Sequence, residues 1–378
     1  MLRSSLLCLS LFVAMIATGC NRKPSSAPSE SVLSPDTTAD VATKANTSPV
    51  DNAEAVVALE AITDKIDRNG EGLIETVDFR GSTVEDSQLE PLTQLPKLRR
   101  VRLGGTSITD DGLKVLAKIP GLADLELGDC AISDDGLAHL TPLKGLKALR
   151  LSGKNGACSV SDDGMVHVAK LPSLKVLAVD FLWVSEEGLQ QLKGLKNLQE
   201  LYMAETTIGN ESIAILADFP NLKKLRIARN QIDSTGIALL PQLKNLEELD
   251  LSECAQLFDD SMPPLAELSK LKKLNLWRVN ISDAGVEPVK GLTSLAWLNL
   301  DNTRLSDQGM PYLKDLTNLT YLHLGSTQIT DNGLVNLENL KNLKDLKVTR
   351  TAVTKAGVDQ LQSKLPQAAI QLEYIEGK

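Results

Sequence analysis

The strongest constraint on this chain is a period. From residue 74 onward an apolar pattern, L-x-x-L-x-L, begins at Ile74, Leu98, Leu122, Leu146, Leu174, Leu198, Leu222, Leu246, Leu271, Leu295, Leu319 and Leu343, with a degenerate thirteenth start at Gln367. The steps are 24 residues, apart from 28 after Leu146 and 25 after Leu246. A unit this short cannot bury its own leucines, whereas stacked neighbours can, so the period predicts a solenoid. The L-x-L core alternates with period two and predicts a short strand with leucines inward. An apolar residue follows (Ile108, Ile132, Val184, Ile208, Ile232, Ile281 or Ile329), then Ser/Thr-Asp-x-Gly-Leu, as in Ser133 to Leu137 and Thr330 to Leu334. A hydroxyl there caps a helix, whose leucines recur three apart at Leu113 and Leu116 or Leu189 and Leu192. Pro120, Pro172 and Pro220, or Gly145, Gly194 and Gly291, punctuate its end. The expected fold class is α/β: a curved solenoid with a parallel inner sheet and helices on the convex face, twelve units over residues 74–366.

Composition narrows the function. The net charge of −9 argues against a broad nucleic-acid surface. With 3 Trp, 4 Tyr and 5 Phe, aromatic residues are too few for a large base-stacking platform. Three histidines and five cysteines leave little for a multi-ligand metal site. No G-x-S-x-G, H-E-x-x-H, Walker-type glycine loop or C-x-x-C occurs. Neither catalysis, metal nor cofactor is therefore expected. The pairs Asp110-Asp111, Asp134-Asp135, Asp162-Asp163 and Asp259-Asp260 could suggest calcium, yet they share the helix-start register, where carboxylates satisfy free amides and the helix dipole. The stretch Asp64 to Gly70 fails as a calcium loop: with Gly70 as the loop glycine, Lys65 and Thr76 fall on ligand places. His139 and His167 share one helix register and read as solvated surface residues.

Units such as Leu222-Lys-Lys-Leu225-Arg-Ile227 and Leu319-Thr-Tyr-Leu322-His-Leu324 resemble the leucine-rich-repeat family, over about 300 residues. The T-x-x-G-L signature is most similar to GALA or F-box-associated repeats, although no F-box precedes the array. In that family the ninth place forms a ladder satisfying backbone groups at the strand-to-turn bend. Here it holds Thr106, Thr206, Asn230, Thr303, Thr327 and Thr351, and also Cys130, Cys158 and Cys254. Buried structural thiols are the default. Cys130 and Cys158 nevertheless lie in adjacent coils, about 5 Å apart at Cα, a spacing compatible with a disulfide.

The N-terminus carries an address. Arg3 precedes an apolar run, Leu6 to Ala17, too short to span a bilayer. It ends in Ala17-Thr18-Gly19-Cys20, which resembles the lipobox of bacterial lipoproteins. That resemblance implies cleavage before Cys20 and its acylation, holding the chain on a membrane at about 0.8 kcal/mol per buried CH₂. An ordinary secretory signal is the alternative. By resemblance to Gram-negative lipoprotein sorting, Asn21 after the cysteine implies the outer membrane. The expected domains are a signal peptide at 1–19, a lipidated cysteine and Ser/Pro/Thr/Ala-rich disordered tether at 20–52, a capping helix at 53–73, the array at 74–366 and a C-terminal cap at 367–378. The tether composition cannot offset its chain entropy and would span roughly 30 Å. The capping helix is read from Val56, Leu59, Ile62 and Ile66, with Asn69-Gly70 as its stop. Pro366, Tyr374 and Ile375 mark the C-terminal cap.

In each unit the third, fifth, seventh and eighth places point out of the inner sheet. Opposite charges follow one another up these columns, for example Asp78, Arg102, Glu126 and Arg150, and read as self-neutralising ladders rather than a charged groove. Five aromatics also point outward: Phe181, Tyr202, Trp277, Trp297 and Tyr321. Around the last three stand Asn275, Arg278, Asn299 and His323. Trp, Tyr and Arg with a polar surround are the composition of a binding patch, although cross-strand aromatics also stabilise sheets without a ligand. The function expected is a non-enzymatic, membrane-anchored binding module for another protein in the cell envelope. An envelope glycan-binding protein and a passive spacer are the alternatives.

Overall fold

The computed structural model describes residues 50–373. The signal, lipobox and most of the tether, with Cys20, lie outside the described residues, as do Tyr374 and Ile375.

Among the described residues, fourteen strands form one sheet in strict chain order, and every pair after the first is parallel. Adjacent strands pair at the repeat spacing, so Leu274, Leu298, Leu322 and Leu346 stand in one row. The first, fourth and sixth places of each unit are inside: Leu98, Val101 and Leu103 are essentially inaccessible, as are Leu319, Leu322 and Leu324. Their side chains join one apolar cluster running from Leu59 to Ala368. Short helices return along the outer side, among them Asp110–Leu116, Asp162–Val168 and Asn210–Leu216. Several returns are 3-10 instead, as at Pro263–Glu267, Glu287–Gly291 and Met310–Leu313. Each has a proline in its first two positions, where the missing N–H and the ring prevent a continuous α turn.

The N-terminal cap differs from the expected single helix. The helix covers only Ala53–Glu60, started by Asn52, whose side chain accepts from the Ala55 N–H. Residues Ile66–Arg68 are instead a strand, antiparallel to Ile74–Asp78. Asn69 is the turn rather than a helix stop: its side-chain oxygen accepts from the N–H groups of Glu71 and Leu73. The Thr63 hydroxyl donates to the Asp78 carbonyl at 2.7 Å and holds the hairpin on the sheet. Pairing with the first repeat strand satisfies an edge that a helix would leave open. At the other end, helix Lys355–Lys364 is followed by the last strand, Ala369–Gln371.

The acidic pairs have a role beyond their own helices. The N-cap is the preceding hydroxyl, as where Thr109 accepts from Asp111 and Ser133 from Gly136. The first aspartate reaches the next coil. Asp86, Asp110, Asp134 and Asp162 accept the backbone N–H of Thr109, Ser133, Ser161 and Ser185 at 2.8 to 2.9 Å, and also their hydroxyls. Asp259, Asp283, Asp307 and Asp331 do the same for Ser282, Ser306, Thr330 and Thr354. A Cβ on the signature glycine would meet that carboxylate, at 1.9 Å for Gly136 and 2.5 Å for Gly333. The glycine is therefore required by a contact with the previous coil.

The eighth place turns the chain out of the strand with a left-handed backbone. It carries φ of 51° to 62° at Asp129, Phe181, Glu205, Arg229, Glu253, Arg278, Asn302, Ser326 and Arg350. Non-glycine residues seldom adopt this region. Here the turned N–H continues the intercoil ladder, as from Glu253 to the Trp277 carbonyl at 2.8 Å and from Ser326 to Thr349 at 2.8 Å.

Candidate binding face

The ninth-place ladder forms as the repeat requires. The Thr106 hydroxyl donates to the Leu103 carbonyl at 2.6 Å, the Cys130 thiol to that same carbonyl at 3.1 Å, and the Cys254 thiol to Ile227 at 3.3 Å. Cys130, Cys158 and Cys254 are free, buried thiols, so no Cys130–Cys158 disulfide is formed. Burial pushes the Cys158 and Cys254 thiols up to about 11, which suppresses the reactive thiolate.

Most charge on the inner face is satisfied within the sheet. Asp124 pairs with Arg100 and Arg150, Lys224 with Glu200 and Glu248, and Arg226 with Asp180 and Asp250. The Arg80 hydrogen bond holds the Asp78 carboxyl down at about 2. Tyr202 belongs to this ladder, its hydroxyl donating to Glu200 at 2.8 Å. Burial, and then that carboxylate, push its phenol well above 10.

The pattern changes at strand Lys273–Asn275. Lys273 places its ammonium 4.8 Å from the Trp297 ring centroid. Trp297 in turn stacks on Tyr321, centroids 4.9 Å apart and planes within 3°. Strand register dictates this column, because Lys273, Trp297, Tyr321 and Asp345 are successive partners. His323, two residues along from Tyr321, meets its ring edge-on at 6.4 Å. The imidazole Nε2 is 3.9 Å from Asp301. Burial holds its pKa below the usual 6.5 despite Asp301, with Lys347 adding to the depression. At neutral pH it is therefore an uncharged donor and acceptor. Trp277 lies one coil back, at the seventh place, with the Arg278 guanidinium 5.5 Å from its ring. Arg278 also pairs with Glu253 at 3.0 Å.

Asn275 and Asn299 have a structural share in this. Their side-chain oxygens accept from the N–H groups of Trp277 and Asp301, at 3.2 and 2.9 Å, closing the strand ends. Their amide N–H groups have no protein partner among the described residues and remain free to donate. Trp277, Trp297, Tyr321, Asn275, Arg278, Asn299 and His323 thus stand on three consecutive coils. Phe181 and Tyr202 do not join them; they lie on the coils beginning at Leu174 and Leu198.

Two residues were missed or misread in the sequence. Lys273 looks like one more ladder charge but is the end of the aromatic column. Trp183 has 74% of its surface exposed. It occupies the tenth place, which elsewhere holds Ser107, Ala131, Thr207, Gln231, Asn280, Arg304, Gln328 or Ala352, so its departure from that pattern was a readable signal. His139 and His167 are half-buried rather than solvated, and the His167 Nδ1 is enclosed without a partner among the described residues.

Models described as leucine rich repeat match residues 269–329, and 94–117 with 220–240. The chain carries leucine-rich repeats. An internalin, InlF, from Listeria monocytogenes has a similar structure: TM-score 0.56 at 21% identity, covering 88% of this chain and 100% of that one. The yeast Rad7 and Elc1 complex contains a chain similar at TM-score 0.58 and 19% identity, over 78% of this chain and 82% of that one. At these identities the likeness is one of fold. No curated protein matches the sequence. Among the described residues of this leucine-rich-repeat chain, no helix is long and apolar enough to cross a membrane.

Proposed function

We propose that this chain is a non-enzymatic binding module that holds a protein partner on its inner sheet face, over the three coils bearing Trp277, Trp297 and Tyr321. The observation that carries the reading is the Lys273–Trp297–Tyr321 column, where the self-neutralising charges give way to stacked rings. Two half-buried aromatics, a neutral imidazole and the unspent amides of Asn275 and Asn299 supply an apolar centre with a hydrogen-bonding surround. The Trp297 ring lies between Tyr321 and Lys273, so its outer edge rather than a free face meets a ligand. That supports a protein surface over a sugar ring at this column. The yeast relative is itself from a two-protein complex, and leucine-rich repeats serve as protein-binding scaffolds.

The module is held on a membrane in the cell envelope by acylation of Cys20, with the outer membrane favoured by Asn21. The supporting feature is the Ala17-Thr18-Gly19-Cys20 sequence after a short apolar run. Capture from envelope extracts with the wild-type chain and the Trp297→Ala and Tyr321→Ala variants tests the face. Loss of one discrete partner in both variants, with unchanged melting, supports it; equal capture by all three overturns it. Metabolic labelling with a fatty-acid analogue, lost in Cys20→Ser, tests the anchor.

A further inference from the structure

The four-residue insert in the coil beginning at Leu146 is a braced loop. Asn155 pins it to the preceding coil, its side-chain N–H donating to the Asp129 carbonyl at 2.9 Å while its own N–H donates to the Asp129 carboxylate. Gly156 turns it with φ of 78°. Gly153 lets it approach Phe181 so closely that a Cβ would lie 2.3 Å from the Phe181 carbonyl oxygen. The product of this bracing is a placed Lys154, with its ammonium 6.0 Å from the centroid of the Phe181 ring. Lys154 makes no ion pair among the described residues.

Beside it lies an open cleft of about 400 Å³, lined by Lys154, Phe181, Trp183, Glu205 and Thr207 among others. The Trp183 side chain has no ring, cation or hydrogen-bond partner among the described residues, so both its face and its indole N–H are unspent. This contrasts with Trp297, whose ring is stacked. The Thr207 hydroxyl is likewise without a partner among the described residues. Glu205 commits one carboxylate oxygen to Arg229 at 2.8 Å. The site therefore offers one flat apolar face, donors and an acceptor at its rim, and a lone positive charge. The strand edges here are already used: the Phe181 N–H donates to Ala204 and that of Thr207 to Val184. A peptide would find no backbone ladder to extend.

We propose that this cleft is a second binding site, separate from the aromatic column, for a sugar ring that carries a carboxylate. A pyranose has an apolar C–H face to lie on the Trp183 indole and hydroxyls to meet Thr207, Glu205 and the indole N–H. Lys154 takes the carboxylate, and its attraction weakens as salt screens it.

The test uses the full chain with nitrogen-15-labelled indoles, titrated separately with uronic-acid oligosaccharides, neutral glucose oligosaccharides and an acidic peptide. The uronic-acid oligomer shifts the Trp183 indole resonance, and binding weakens about fivefold or more in Trp183→Ala, the scale of one lost aromatic contact. Lys154→Ala removes the preference over the neutral oligomer, and Trp297→Ala leaves both effects intact. Trp183 and Lys154 are exposed and brace nothing, so the variants keep the wild-type melting profile. No Trp183 shift with either sugar overturns the proposal. So does sugar binding undiminished in Trp183→Ala, or a shift produced by the peptide alone. Because the readout is Trp183, failure here leaves the protein-binding reading of Trp297 and Tyr321 standing, and the reverse also holds.

Discussion

Asp307 accepts two hydrogen bonds from Thr330 of the following coil, 2.8 Å from its backbone N–H and 2.6 Å from its hydroxyl, beside the bare Cα of Gly333. This arrangement converts a helix-start signature into a staple between coils. In a solenoid, stability resides largely in such nearest-neighbour interfaces.

Gly333→Ala therefore destabilises the chain, although alanine is the better helix former by about 1 kcal/mol. The added methyl would lie 2.5 Å from the Asp307 carboxylate and 2.9 Å from Met310. A net loss of about 2 kcal/mol is expected, the size of an overpacked core site. Asp307→Ala costs about 1 to 2 kcal/mol on its own. The double variant costs less than the sum of the two, because the clash is removed with the carboxylate. Urea midpoints of the four proteins measure the coupling; strict additivity would disprove the contact.

The staple series has one missing rung. Phe258 occupies an N-cap place and is 45% exposed. Ser234, at the accepting aspartate's place one coil earlier, makes no side-chain hydrogen bond among the described residues. Combining Ser234→Asp with Phe258→Ser restores the rung and adds about 1 kcal/mol, while either change alone adds less. Amide exchange at residues 258–262 reports it: protection rises in the double variant.

Ser326 tests the left-handed turn. Its φ is 51°, a conformation that costs an L residue about 1 to 2 kcal/mol. Ser326→Gly raises the midpoint slightly, since glycine's greater unfolded entropy offsets part of that relief. Ser326→Val lowers it by at least about 1 kcal/mol, as a branched Cβ is worst here. Equal melting of the two variants would contradict the assigned backbone.

Stability falls in acid for two separable reasons. The folded pKa of His323 is depressed below 6.5, so its contribution is complete above 6.5 and is lost as pH falls below it. Asp78 is depressed from 3.8 to about 2; its contribution is complete above 3.8 and is lost as pH falls towards 2. His323→Gln flattens only the upper window and Asp78→Asn only the lower. Proton NMR titration of the imidazole gives the direct check: a midpoint at or above 6.5 would refute the first window.

The buried thiols supply a probe of opening. With the Cys158 and Cys254 pKa near 11, native alkylation at pH 8 is slow and accelerates in denaturant. Mass spectrometry of the peptides containing Cys130, Cys158 and Cys254 follows each coil separately.

The period alone was enough to place the buried leucines, the strand register and the outward columns. Each depends on alternation within one short segment, which can be read along the chain. The ninth-place ladder was implied by the leucine-rich-repeat resemblance, once hydroxyl, amide and thiol were seen to recur there. The partner of Asp110 was not: an aspartate beside an N-cap serves its own helix or the next coil equally well in sequence, and coil spacing decides. Likewise, Trp297 and Tyr321 were visible as column neighbours, but only the ring angles show that they stack face to face. The N-terminal hairpin was hidden because Val56, Leu59, Ile62 and Ile66 fit a helical spacing until the open edge of strand Ile74–Asp78 claims Ile66. Trp183 beside Lys154 depended on a loop folding back onto Phe181. Periodicity is a property of neighbours along the chain, whereas these contacts join separate segments, in the hairpin Ile66 with Val77 and elsewhere residues of successive coils, and only three-dimensional pairing and stacking bring them together.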